Sequence, residues 1–427
     1  MRTWNHERWK PLFFTIWGGQ ALSLLGSRLV QFALIWWLTE TTGSEAVLLT
    51  ASAMSYVPMI FISPFAGALV DRWSRRRVLI VADGSIALAT ALLAILFATG
   101  RASIPVVFVL LFVRATGGAF HWPAMSAATT LMVPKKHLSR IAGLNQGLHG
   151  AALLVSPIAG AMLIRWLPMQ GVLSIDVLTA MIAIVPILLT QIPEPRPTDS
   201  GSDRPSVLGG LLEGLRFAFR WRGMMMLIGA LALMNLVVNP AFNLLPLYAQ
   251  RILGGDELTL GLMQLVFGAG FVLGGLILTA WGGFKRRIVT ALLAVGVMGF
   301  AIIGLGLAPH GWLVLILGCL LVCGLMEPMA NGSFTASIQS AVPDEMQGRV
   351  FSFLGSATQV GTLIGLGLAA PMTRTFGLQI WFIIGGIAYL LVGFGSFLSR
   401  SIVNLEAEGE RLRARTASLA AEPALDE

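Results

Sequence analysis

The sequence predicts an all-α membrane protein of twelve transmembrane helices in two pseudo-symmetric six-helix bundles. Three observations predict it: composition, the placement of basic residues, and an internal repeat. Hydrophobic residues make up 56 % of the 427 and charged residues 12 %, with a mean hydropathy of +0.79, well above soluble chains. A hydrocarbon core about 30 Å thick needs roughly 20 apolar residues per helix, and such runs recur along almost the whole chain. Helices satisfy every backbone hydrogen bond within the segment, so they, rather than a barrel, are expected.

Taken in order, the start "MRTWNHERWK" is charged and carries no short apolar core before a small-residue cleavage site. No removable signal is expected, and the first span directs insertion. Apolar runs bounded by charge or by Gly/Pro clusters place spans at 12–38, 46–70, 78–99, 105–133, 141–166 and 172–192, then at 223–248, 259–281, 288–308, 312–341, 350–373 and 379–399. This divides the chain into an N-terminal bundle (1–192), a linker (193–222), a C-terminal bundle (223–400) and a tail (401–427). The linker begins "IPEPRPTDSGSDRP", a flexible composition. It ends with Leu208, Leu211, Leu212, Leu215 and Phe219 at helical spacing, which suits either a helix lying on the inner leaflet or an extension of span 7. The tail from Asn404 is polar and expected to be poorly ordered.

Charge tests this count, because cytoplasmic loops collect Lys and Arg. Of the 29 basic residues, 23 fall on the side holding both termini and only Arg101, Arg165, Arg251 and Arg374 on the other, with Arg28 and Arg114 inside spans. Both termini are therefore expected in the cytoplasm, in a multi-pass protein of the cell (inner) membrane. The net charge of +8 is topological, and no nucleic-acid partner is expected. The repeat is visible in "LMVPKKHLSRIAGL" before span 5 and "SAVPDEMQGRVFSF" before span 11, where Pro134 answers Pro343 and Arg140 answers Arg349 at an offset of 209. "SRRR" ending at Arg77 answers "FKRR" ending at Arg287 at 210. An offset near half the chain implies duplicated halves.

Other classes are thereby excluded. None of the four lysines is followed by Ser or Thr, so no phosphate-binding loop exists and an ATP-driven pump or enzyme is not expected. The two cysteines, Cys319 and Cys323, lie one turn apart in an apolar run, as packed small hydrophobes do. No metal site and no cofactor beyond a proton gradient are expected.

"GALVDRWSRRR" from Gly67 to Arg77 resembles the loop 2–3 signature of the major facilitator superfamily, at Gly67, Leu69, Val70, Asp71, Arg72, Ser74, Arg75 and Arg76. A Gly there allows close helix approach, and the Asp suits a helix N-terminal end or an Arg partner. The resemblance implies that this loop latches the two halves in the outward-facing state. "FFTIWGGQALSLLGS", "LLFVRATGGAFHWPA" and "QGRVFSFLGS" narrow the resemblance, over residues 8–400, to the macrolide-efflux branch of drug exporters. Arg114-x-x-x-Gly118 resembles the span 4 element of proton-coupled carriers. Ser156-Pro157-x-x-Gly160 resembles the antiporters' Gly-Pro-x-x-Gly, with Ser in place of the first Gly.

In this family spans 1, 4, 7 and 10 line a central cavity. Gln20, Ser23, Ser27 and Gln31 stripe span 1 beside Arg28. Arg114, Gly118 and His121 share a face of span 4. Asn235, Asn239 and Asn243 recur at i, i+4, i+8 in span 7, and Glu327 and Asn331 in span 10. Such amides serve equally as interhelical glue. Spans 9 and 12, nearly free of polar groups, are expected to face lipid. An ion at mid-membrane costs about 2.5–3.5 kcal/mol by insertion scales, which makes Glu327 and Arg28 candidates for function, or for pairing with each other. Proton coupling is assigned to Glu327, with Arg114 and Arg28 as modulators and Asp176, expected near the outer surface, as second choice. Asp83 is expected to be shallow on the inner side. The function expected is proton-driven export of hydrophobic or cationic drugs by a monomer in the lipid bilayer. The alternative is export of an endogenous metabolite such as a siderophore. The substrate cavity is assigned to Gln31, His121, Asn235, Asn239 and Asn331.

Overall fold

A computed structural model describes residues 9–62, 65–66, 69–70, 73–190, 192–193, 216, 219, 221–342 and 344–406. The helices are α1 (Trp9–Thr42), α2 (Glu45–Phe61), α3 (Arg75–Ala98), α4 (Ile104–Met132), α5 (Leu138–Trp166), α6 (Met169–Leu189), α7 (Arg222–Asn243), α8 (Leu245–Arg251), α9 (Glu257–Trp281), α10 (Arg287–Leu307), α11 (Leu313–Ala341), α12 (Asp344–Phe376) and α13 (Ile380–Gly395). Eleven of these, α13 being counted with the turn that extends it to Leu398, are long and apolar enough to cross a membrane. The twelfth predicted span, α2, is a 17-residue apolar helix followed by helical residues at Phe65, Ala66, Leu69 and Val70.

Helix ends follow local chemistry. Gly43 (φ 56°) and Gly377 (φ 85°) end α1 and α12 in the left-handed region, where a missing Cβ removes the steric penalty. Their N–H groups bond Thr39 and Thr373 carbonyls at 2.8 and 2.9 Å. The expected continuous span 7 is corrected. It stops at Asn243, turns at Leu244 and resumes as α8, with Pro246 in the first turn and Pro240 inside α7. Two prolines so close in sequence remove two backbone donors and favour a break between them.

The chain forms two compact units, one from residues up to Arg204 with Asn243–Leu265, the other from Pro205–Phe242 with Val266 onward. In the first, Gly19 and Gly26, two turns apart on α1, face α6. A Cβ on Gly19 would stand 3.0 Å from the Ala183 Cα, and one on Gly26 3.3 Å from the Asp176 Cα. In the second, Gly270 and Gly274 of α9 meet α11, and Gly361 and Gly365 of α12 meet α7. Small residues one turn apart let backbones approach where lipid supplies no hydrophobic drive.

Two expectations are overturned here. Span 9, expected to face lipid, is α10, and 67 % of its most apolar 18-residue window is buried. It packs on α13 through Gly296, Gly299 and Gly306, against Gly393, Gly386 and Ile383. The start of the tail is ordered as well: Ile402 and Leu405 are buried, and Glu406 accepts hydrogen bonds from the Ile288 N–H at 3.2 Å and the Ser337 hydroxyl at 2.7 Å. It thereby caps the start of α10. The predicted interfacial helix lies outside the described residues apart from Arg216 and Phe219, both helical and exposed.

Candidate functional site

Seven-residue spacing on three helices builds two polar layers inside the first unit. Gln20 and Ser27 of α1, Asp83 and Thr90 of α3, and Arg114 and His121 of α4 are each seven apart, two turns and about 10 Å at 1.5 Å per residue. In one layer the Arg114 guanidinium bonds the Asp176 carboxylate at 2.7 Å, with side-chain exposures of 8 % and 1 %. Asp176 also accepts from the Ser27 hydroxyl at 2.9 Å and the Thr90 hydroxyl at 3.1 Å, and Arg114 donates to Thr90. In the other layer Gln20 Nε2 donates to Asp83 Oδ2 at 2.7 Å. His121 Nε2 lies 2.8 Å from Gln20 Oε1 and 3.2 Å from Asp83 Oδ1. Both neighbours are acceptors, so Nε2 carries a hydrogen and Nδ1 is the nitrogen left to take a second proton.

Asp176, expected near the outer surface, is therefore sealed in a satisfied ion pair. It is the carboxylate facing Arg114, in place of the predicted Glu327. Gly117, not Gly118, makes the close approach of α4 to α3. A Cβ there would stand 2.8 Å from Ser85 Oγ and 3.1 Å from the Ala82 carbonyl oxygen, whereas nothing lies within 4 Å at Gly118.

A cavity of 330 Å³ adjoins the second layer, lined by Trp17, Gln20, His121, Trp122, Asn145 and His149, among others, from α1, α4 and α5. The Trp17 indole N–H bonds Asn145 Oδ1 at 2.8 Å, and Trp122 meets the His149 ring edge-on at 5.4 Å. Arg28 and Gln31 line a separate cavity of 160 Å³ with Ser156, Pro157 and Gln264, at a crossing where a Cβ on Gly160 would stand 2.9 Å from the Phe32 ring. A larger groove, 710 Å³, runs between α3 and α4 from Trp73 and Arg77 to Phe112 and Phe120. It includes the exposed Val81 and Val113, as a lipid-facing groove does.

The remaining predicted residues fall as follows. Arg76 donates from Nε to the Ile187 carbonyl at 2.9 Å and from NH2 to the Leu188 carbonyl at 2.7 Å, capping the end of α6. Arg75 lies in the first turn of α3, while Gly67, Asp71 and Arg72 lie outside the described residues. The asparagines are spent on packing. Asn235 Nδ2 bonds the Leu231 carbonyl at 2.9 Å, and Asn239 Nδ2 bonds Asn235 Oδ1 at 2.9 Å and the Thr362 hydroxyl of α12 at 3.0 Å. Asn331 Nδ2 donates to Glu327 Oε1 at 2.5 Å on the same helix. Arg28 and Glu327 belong to different units. Thr90 carries no assignment from the sequence, although its seven-residue step from Asp83 is readable there. No group of three or more His, Cys, Asp or Glu side chains suited to a metal occurs among the described residues.

At the end of the first unit away from Trp9, Arg251 of α8 bonds the Glu45 carboxylate and the Gly43 carbonyl. Arg165 lies 3.7 Å from Asp256. Gly261 of α9 lies against α5, where its Cβ would stand 3.0 Å from that of Ala161.

The family model described as Major Facilitator Superfamily matches residues 16–366 and 244–421. Macrolide efflux protein A of Streptococcus pyogenes is 33 % identical over 388 residues, covering 91 % of this chain and 96 % of that protein. Multidrug efflux pump Tap of Mycolicibacterium fortuitum is 26 % identical, over 86 % and 90 %. Among solved structures, a POT family transporter in complex with a thioalcohol-conjugated peptide superposes with a TM-score of 0.70 at 12 % identity, covering 90 % of this chain and 96 % of that one. A mutant of the nucleoside transporter NupG gives 0.67 at 12 %, over 90 % and 98 %. The signature loop, the all-helical fold and these matches converge: the chain belongs to the Major Facilitator Superfamily of membrane transporters, in the branch of the macrolide efflux proteins.

Proposed function

We propose that this chain exports hydrophobic or cationic drugs, macrolide-like among them, from the cytoplasm by proton antiport and alternating access. The observation that carries the reading is identity of 33 % to a macrolide efflux protein across 91 % of the chain. The aromatic-walled cavity of the first unit supports it, since drug pockets are largely apolar with a few placed polar groups. Proton coupling is assigned to Glu327. Its carboxylate is held by an amide rather than a guanidinium among the described residues, and Pro328 follows it within α11, where a missing backbone donor eases local movement. A carboxyl that gains and loses a proton as the helix moves links the gradient to the conformational equilibrium.

Expression in an efflux-deficient bacterial host is expected to raise the inhibitory concentration of macrolides several-fold. In everted vesicles Glu327→Gln is expected to abolish proton-driven accumulation while preserving drug exchange without a gradient. Gradient-driven uptake by Glu327→Gln at the unsubstituted rate would reassign the proton carrier, and an unchanged susceptibility profile would reject the drug-export reading.

A further inference from the structure

We infer that the small cavity at Arg28 is an anion subsite, where one carboxylate-sized monoanion is held by the Arg28 guanidinium, the Ser156 hydroxyl and the amides of Gln31 and Gln264. The inference goes beyond the export reading, because an anion can bind there whatever drives transport.

Three helices of the first unit build the site. Arg28 and Gln31 lie one turn apart on α1, Ser156 comes from α5, and Gln264 comes from the stretch of α9 that packs with this unit. Every polar side chain in the lining can donate a hydrogen bond, and the lining contains no Asp or Glu.

Two independent observations point to an anion. The first is the state of Arg28. It lies inside α1, remote from both ends of the helix, where an unpaired ion is costly. Among the described residues it has no hydrogen bond and no ion pair. The buried acids of this unit are committed elsewhere: Asp176 to Arg114, Asp83 to Gln20 and His121, and Glu45 to Arg251. Its charge is felt by His149, earlier on α5, which supplies no negative charge to offset it. The second observation is Ser156. Its side chain is 4 % exposed and its hydroxyl has no hydrogen-bond partner, a costly state for a buried polar group. Ser156 is also the residue at which the chain departs from the antiporters' Gly-Pro-x-x-Gly, so the hydroxyl is an addition to that element. A water in the cavity would satisfy the hydroxyl and leave the guanidinium unpaired. An anion satisfies both, and the planar fork of Arg matches a carboxylate in particular.

The cavity's 160 Å³, about five waters at ~30 Å³ each, admits a halide or a carboxyl group but not a macrolide ring. Two sources share this chemistry: a free inorganic anion, and the carboxylate of a larger molecule whose apolar body stays outside the cavity.

The test uses the full chain in phosphatidylcholine nanodiscs, with gluconate as the background anion and empty discs as the blank. The probes are chloride, 2-naphthoate and 2-naphthamide, the last matching naphthoate in shape without its charge. Calorimetric titration and the thermal unfolding midpoint, which a ligand of the native state raises, are the readouts. Naphthoate is expected to bind saturably, with affinity falling about tenfold or more in Arg28→Gln, partly kept in Arg28→Lys and several-fold weaker in Ser156→Ala. Naphthamide is expected to bind far more weakly and with no difference between the unsubstituted chain and Arg28→Gln. That pattern assigns the carboxylate of a larger ligand. A midpoint raised by chloride but not by naphthoate, and no longer raised in Arg28→Gln, assigns a free anion and upholds the subsite. The inference is overturned if neither anion has an effect, if naphthamide binds as tightly as naphthoate, or if anion binding is unchanged in Arg28→Gln. Should Arg28→Gln not fold, Ser156→Ala decides, and anion binding at full strength there overturns it. Because the readout is binding, cells that gain no macrolide resistance would reject the export reading and leave this result standing.

Discussion

Arg114 and Asp176 illustrate how a buried pair serves a membrane helix bundle. Neither ion is tolerated alone at depth, yet together with the hydroxyls of Ser27 and Thr90 they tie α1, α3, α4 and α6 at one level. Removing one partner of a buried pair typically costs ~3–5 kcal/mol, while replacing both by apolar groups is often neutral. Asp176→Asn is therefore expected to lower the thermal unfolding midpoint in detergent by several degrees. The double variant Arg114→Met with Asp176→Leu is expected to restore it. A midpoint unchanged in Asp176→Asn would show that the pair contributes little. The repeat is also visible at single residues: Arg76 caps the end of α6, and its counterpart Arg286 reaches Asn404, which follows the short helix Arg400–Val403 after α13, at 3.5 Å.

At the scale of elements, α10 shows why polarity does not report lipid exposure. Its apolar surface is as compatible with another helix as with acyl chains, and its glycines, rather than any polar group, select the α13 face. The other notable element is the α8–α9 segment, which packs with the first unit at the end carrying Glu45 and Arg165. Exposed ion pairs contribute about 0–1 kcal/mol, so the half-buried Arg251–Glu45 contact is the stronger part of this clasp. With both native cysteines replaced by alanine and Thr42→Cys introduced, Arg251→Ala is expected to raise maleimide labelling of position 42 several-fold in intact cells. An unchanged rate would show that the clasp does not control access. Burial would raise the Asp256 carboxyl, but hydrogen bonds from the Thr259 N–H and hydroxyl, with Arg165 beside it, outweigh that and hold it below the ordinary range. A depressed carboxyl contributes stability above its unfolded value and loses it as pH falls through the folded one, so this second contact persists in mildly acidic medium.

For the molecule as a whole, membership in the family settles the fold class, and the 23-to-4 distribution of basic residues predicts its orientation. Green fluorescent protein fused after Glu427 is expected to fluoresce and alkaline phosphatase at the same point to be inactive. The opposite pattern would place that end outside the cytoplasm. The internal repeat at offsets of 209 and 210 accounts for the shared helix order of the two halves, but the compact units do not divide at the linker alone. The break at Leu244 lets residues 243–265 pack with the first unit.

Spans, family, basic loops and the seven-residue polar spacings were legible in the sequence because each is a one-dimensional signal: apolar length, side-of-membrane charge, and periodicity along one helix. The sequence also marked Arg114, Asp176, Glu327, His121 and the asparagines as polar groups that need a reason to be in a membrane. Only the tertiary structure decided their partners. Which carboxylate faces Arg114, whether Asn239 turns to a cavity or to Thr362, and whether an apolar helix such as α10 meets lipid or protein all depend on the rotation and neighbours of each helix. Periodicity defines a face but leaves open what that face meets. In a bilayer, where lipid and helix surfaces are equally apolar, close packing of small residues and pairing of buried polar groups make that choice.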